Sequence, residues 1–113
     1  MLVSKIINQN RVSFLTSVSS KKRLFQEIAN VLAVECELSV DNIFNALKDR
    51  EQLGPTGMGN GIAIPHAKID GIDKIIGMFI RLEKPVEFES IDRKKVDLIF
   101  TILAPPNSGV DHL

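Results

Sequence analysis

The chain has 113 residues, with 14 Lys and Arg against 14 Asp and Glu, so its formal net charge is zero. That size is one domain, 1–113, with one ordinary core, and the balanced charge excludes a nucleic-acid or anionic-membrane binder working by bulk charge. No apolar run approaches the ~20 residues that span a bilayer, the first residues lack a secretory pattern, and a single cysteine, Cys36, excludes an internal disulfide and fits a reducing, cytoplasmic setting.

Residues 4–8 read as a short helical turn. Residues 11–15 alternate polar and apolar and read as a short strand. A helix follows over 21–35: Ser20 is a suitable N-cap, and Leu24, Ile28, Val31 and Leu32 fall on one face. Lys21, Lys22 and Arg23 oppose the helix dipole and read as a solvated surface run. Ser39 caps a second helix over 40–51, which stops before Gly54 and Pro55. Four of the seven glycines then fall in residues 54–61, read as a glycine-rich loop. A short apolar strand over 62–66 closes on Pro65 and His66. Residues 75–82 and 96–103 are two further strands with nearly continuous apolar runs, as in a sheet buried on both faces. Residues 85–88 suggest a short edge strand, 90–94 a turn, and 105–109 a final turn. The pattern predicts an α/β domain with a mixed β-sheet flanked by α-helices.

The glycine-rich stretch beside a histidine carries the chemistry. Gly57, Gly59 and Gly61 let a backbone approach a bound group, and successive exposed N–H groups make an anion nest. A P-loop needs Gly-Lys-Ser/Thr at its end, and the dinucleotide fingerprint needs a following helix; neither is present. A plain glycine-rich turn remains the bland alternative. His66 is placed as an exposed nucleophile. If one ring nitrogen donates to a backbone carbonyl, the tautomer is fixed and the other nitrogen is free to accept a phosphoryl group. Arg50 is a candidate cation for that group, its planar fork suiting phosphate; its bland reading is a surface arginine at a helix end. His112 is the second histidine. No spacing resembles a zinc site, no Gly-x-Ser-x-Gly elbow marks a hydrolase, and Cys36, between Glu35 and Glu37, reads as inert.

Leu47-Lys48-Asp49-Arg50-Glu51, followed by Thr56-Gly57-Met58-Gly59-Asn60-Gly61-Ile62-Ala63-Ile64-Pro65-His66-Ala67, resembles the active-site signature of phosphotransferase system enzyme IIA domains. The resemblance is to the fructose/mannitol type, most of all to the nitrogen-regulatory enzyme IIA. Ser19 to Lys22, Val96 to Phe100, Pro105 and His112-Leu113 extend it along nearly the whole chain. It implies a mixed sheet with flanking helices, no cofactor and no metal. It implies that His66 is phosphorylated by a histidine phosphocarrier protein charged from phosphoenolpyruvate. Arg50 would hold the phosphoryl group, His112 would stand as a second histidine beside it, and Thr56, Gly57, Gly59 and Gly61 would bind phosphate. The downstream partner would be a regulatory target protein or, in sugar uptake, the cysteine of an enzyme IIB domain. Family domains continue several tens of residues past the His-Leu pair, so the resemblance also implies a C-terminally incomplete domain lacking its last helices. A non-covalent phosphate- or nucleotide-binding domain is the remaining alternative.

Overall fold

The fold is given by a computed structural model, which describes residues 11–107. The helical turn expected at 4–8, the end of the turn expected at 105–109, and His112 lie outside the described residues. Eight elements follow in chain order: β1 (Val12–Leu15), α1 (Lys21–Cys36), α2 (Val40–Leu53), β2 (Gly57–Gly59), β3 (Ile62–Ala63), β4 (His66–Lys68), β5 (Ile76–Val86) and β6 (Val96–Ala104). Both helices start where their caps predict. The Ser20 hydroxyl accepts from the Arg23 N–H at 3.1 Å, and the Ser39 hydroxyl from the Asn42 N–H at 3.2 Å, each satisfying an N–H that the first helical turn leaves without a partner.

All strands join one mixed sheet in the order β1-β5-β6-β3-β2, with β4 also on β6. β1 runs parallel to β5, β5 antiparallel to β6, and β3 and β4 both parallel to β6. Side chains of register partners share a face of the sheet. On one face Ile80 lies opposite Ile99 and Ile76 opposite Leu103. Leu24, Ile28 and Leu32 of α1 and Ile43 and Leu47 of α2 pack with these residues into one buried cluster. On the other face Phe79 pairs with Phe100 and Arg81 with Leu98. Phe79, Leu98 and Phe100 are half-buried, and Phe14 is 65% exposed beneath the Arg81 guanidinium. The expectation of a sheet buried on both faces thus holds for one face among the described residues, because both described helices pack on that face.

Three local expectations change. The strand expected at 85–88 is the end of β5, which runs through Pro85 to Val86. Its ladder with β6 shifts register between Arg81 and Val86, and such an irregularity is where a strand tolerates proline. The glycine-rich loop is a hairpin, β2 against β3, turning at Asn60 (φ 58°) and Gly61 (φ 81°). Positive φ at both central residues is the demand of the tight turn for which Asn-Gly is the usual pair. And Lys21 is not simply solvated: its ammonium lies 3.7 Å from carboxylate oxygens of both Glu51 and Glu89, and 5.3 Å from the Phe88 ring centre.

The hairpin glycines are required by what lies against them. A Cβ on Gly57 would stand 2.1 Å from the Ser90 Oγ, and one on Gly61 2.9 Å from an Asp97 carboxylate oxygen. Gly54 has open space around it. Asp92 fastens the turn, accepting from the N–H of Asn60 at 2.8 Å and of Lys94 at 3.1 Å. Gly57→Ala is therefore expected to destabilise the fold by about 1–3 kcal/mol in denaturant unfolding, as overpacking does, while Gly54→Ala is near neutral. Those same N–H groups, Asn60's foremost, hold the Asp92 carboxyl below its ordinary pKa of 3.8. A depressed folded pKa contributes stability above the unfolded value and loses it as pH falls through the folded one. The stability gap between wild type and Asp92→Asn should accordingly be flat above pH 3.8 and narrow below it, as followed by unfolding at a series of pH values.

Candidate active site

β3 and β4 are two pieces of one strand. Ile62 pairs with Leu98 and Ala63 with Ile99; His66 then pairs with Ile102 and Ala67 with Leu103, in the same offset along β6. Pro65 breaks the ladder because it has no N–H to donate. Its carbonyl still accepts from Ile102 N–H at 2.9 Å, which keeps both pieces in line. His66 was expected at a strand end where the chain leaves the sheet. It instead opens β4 and stays in register. Its imidazole points to the face of Ile102, away from the Ile99–Leu103 core, and is half-buried.

The His66 Nδ1 lies 2.8 Å from the Ile64 carbonyl oxygen. A carbonyl only accepts, so Nδ1 carries the proton and, in the neutral ring, Nε2 keeps the free lone pair. Pro65 sits between donor and acceptor, with φ held near −65° by its ring. It also confines Ile64 to extended backbone. The residue pair Ile64-Pro65 thus fixes where the accepting carbonyl stands.

His66 lines a cavity of about 560 Å³ with Ala46, Asp49, Arg50 and Leu53 of α2 and with Ala67 and Lys68 of β4. Two of the expected site residues, His66 and Arg50, are thereby brought together. Arg50 is in the last turn of α2, and its Nη1 donates to the Gly54 carbonyl at 2.9 Å. A cation here suits the negative end of the helix, and this contact anchors one nitrogen of the guanidinium. Thr56, Gly57, Gly59 and Gly61 do not line this cavity. Thr56 is buried and directs both its N–H and its hydroxyl at the Glu51 carboxylate, and the three glycines belong to the hairpin. His112 lies outside the described residues.

Two charged residues of the cavity were given no role from sequence. Lys68 follows His66 by two positions and so shares its face of the strand; the period of two was the available signal. Asp49 precedes Arg50 on the last turns of α2 and brings a carboxylate to the same wall. Elsewhere, the Cys36 thiol is pushed up first by burial and further by Glu35, against the pull of Arg11 and Lys74, so burial rather than the neighbouring carboxylate is the larger cause of the rise. Among the described residues no group of three His, Cys, Asp or Glu is placed to hold a metal ion, and no helix is long and apolar enough to cross a membrane.

With this geometry in hand, comparison with known proteins is specific. The family model described as "Phosphoenolpyruvate-dependent sugar phosphotransferase system, EIIA 2" matches residues 5–113. A nitrogen regulatory protein of Bradyrhizobium diazoefficiens is 41% identical over 116 aligned residues, covering 100% of this chain and 74% of that protein. The crystal structure of the nitrogen regulatory protein IIA-Ntr of Neisseria meningitidis superposes with a TM-score of 0.91 at 41% identity, covering 99% of this chain and 77% of the other. The IIA mannitol protein of Escherichia coli shares the fold, with a TM-score of 0.76 at 22% identity over 89% of this chain and 73% of its own.

Proposed function

The chain belongs to the EIIA 2 family of the phosphoenolpyruvate-dependent sugar phosphotransferase system, and from that premise we propose that it is a cytoplasmic phosphohistidine carrier whose phosphorylation on His66 serves nitrogen regulation. The observation that carries this reading is the hydrogen bond from His66 Nδ1 to the Ile64 carbonyl, which leaves Nε2 as the nucleophilic nitrogen of a ring that shares a cavity with Arg50. The donor is a histidine phosphocarrier protein. The Nε2 lone pair attacks phosphorus as the donor's P–N bond breaks, and the donor ring keeps that bond's electron pair. Nδ1–H stays on the Ile64 carbonyl, which steadies the positive charge the ring acquires as the new N–P bond forms. Arg50, and Lys68 beside it, offset charge on the transferring oxygens. Phosphoryl transfer needs little from a protein beyond this positioning and charge, so no cofactor enters the scheme.

The relatives named nitrogen regulatory proteins, at about two-fifths identity over the whole chain, support a regulatory end use over delivery to an enzyme IIB cysteine. In the regulatory reading the phosphoryl group alters which protein binds this face.

The test is incubation with phosphoenolpyruvate and the upstream phosphotransferase proteins, read by intact mass. Wild type should gain one phosphoryl group and His66→Ala none. His112→Ala should still be labelled, since the reading makes His66 the acceptor. Arg50→Ala should slow uptake by roughly 100-fold, the scale of one lost donor at a charged transition state. Arg50→Lys should recover only part of that, because an ammonium makes no bidentate contact. Labelling of His66→Ala at the wild-type rate would remove His66 from the role. Rapid passage of the group to an isolated enzyme IIB cysteine would favour sugar uptake.

A further inference from the structure

Glu51 poses a question that the transfer chemistry does not answer. Its side chain is only 7% exposed and it sits in the last turns of α2, where a negative charge faces the negative end of the helix dipole and has lost most of its water. Both costs fall on one carboxylate, and its partners show what it holds. Thr56 directs its N–H at both carboxylate oxygens, at 3.0 and 2.8 Å, and its hydroxyl hydrogen-bonds the same group. The Lys21 ammonium stands 3.7 Å away. From Thr56 the bonding continues: its carbonyl accepts from the Ile64 N–H at 3.0 Å, and the Ile64 carbonyl accepts from His66 Nδ1 at 2.8 Å. Four residues thus form one line from a buried carboxylate to the imidazole, through the N–H and the carbonyl of Ile64.

We propose that Glu51 is a positioning residue for His66, acting through Thr56 and Ile64 to set the orientation and tautomer of the imidazole. Glu51 does not line the His66 cavity. It lines a separate one of about 470 Å³ with Lys21, Phe25 and Phe44, so its carboxylate acts through the chain of bonds and not on a phosphoryl group. The clamp at Thr56 fixes the base of the hairpin, Thr56 holds Ile64 through the Ile64 N–H, and the carbonyl on the next peptide unit selects Nδ1 as the protonated nitrogen. Loosening the clamp lets the Ile64 carbonyl turn away, and the ring then divides between its two tautomers. The link to catalysis rests on the reading of His66 as phosphoryl acceptor; the link to the tautomer does not.

The experiment compares full-length wild type, Glu51→Gln, Thr56→Val and Thr56→Ser by two readouts. Long-range nitrogen–proton spectra of the imidazoles give the tautomer, with His66→Ala assigning the His66 signals apart from those of His112. Mass-detected uptake from the phosphorylated carrier gives the rate. Wild type should show the Nδ1–H form. Glu51→Gln and Thr56→Val should show mixed tautomers and uptake slowed by roughly 10-fold or more, as misplaced reacting groups do. Thr56→Ser, which keeps the hydroxyl, should match wild type in both. Folded variants with an unchanged tautomer, or with a changed tautomer and wild-type uptake, overturn the proposal. Should Glu51→Gln not fold, Thr56→Val decides, and loss of the fold in both assigns the clamp to stability alone and overturns it too. If wild type takes up no phosphoryl group, the functional reading falls while the spectra still decide the role of Glu51.

Discussion

A proline cannot donate to a ladder, and one placed inside a parallel pairing must be held by something else. At Pro65 the holding comes from both sides. The β3 and β4 pieces keep one offset along β6, and the Pro65 carbonyl still accepts from β6. The strand therefore stays in place across the missing bond. The Ile64 carbonyl, held by the Ile64-Pro65 pair, meets the His66 ring. The geometry of the candidate site depends on this local exception to strand pairing, with the β6 pairing kept on either side of it.

The helix beside it contributes in an unsymmetrical way. Near its end α2 carries two neighbouring charged residues, Arg50 and Glu51, whose side chains take opposite routes. Arg50 folds back on the Gly54 carbonyl and lines the His66 cavity; Glu51 turns into the protein against Thr56. The arginine suits the helix terminus and the carboxylate does not. That contrast separates a group whose position is favourable without any function from one whose position needs a reason. It also shows why the glycines look different in structure than in sequence. Gly57 and Gly61 are small because Ser90 and Asp97 crowd the hairpin, and the hairpin is in turn the frame on which Thr56 and Ile64 are held.

Much of the fold was legible in the residues because local chemistry decides it. Ser20 and Ser39 mark helix starts that the structure places at the next residue, and the apolar runs of β5 and β6 were long enough to outweigh noise. What escaped was decided by pairing at a distance. Asn60-Gly61 is a hairpin signal in itself, but with glycines on both sides the segment reads as a loop until Ala63 is seen opposite Gly57. Pro85 reads as a boundary until the β5–β6 register is seen to shift there. At the site, Arg50 was readable as a candidate cation for a group on His66, and the family resemblance strengthened that pairing. Lys68 was readable from strand periodicity. Glu51 was not, because nothing in a sequence says which of two neighbouring charged residues on a helix turns inward.

The same scaffold bears on how a phosphoryl group on His66 would be felt. The imidazole is tied to Ile64, Ile64 to Thr56, and Thr56 to Glu51, while His66 and Ala67 are paired with β6. On the proposed reading a phosphoryl group adds about one and a half to two negative charges, to be met within the one arrangement of this frame that the described residues show or by an alternative one. A switch that reorders its backbone needs such an alternative, with a free-energy gap small enough for the ligand to cross. On the proposed reading the charge would land instead on a wall that already holds Arg50, Lys68 and Asp49, in a chain whose formal charges otherwise cancel. The consequence we propose is a local reversal of potential on this surface, favouring partners that bring cations and repelling those that bring carboxylates. Selection between partners then follows from complementarity at one spot, with the fold serving to hold that spot still.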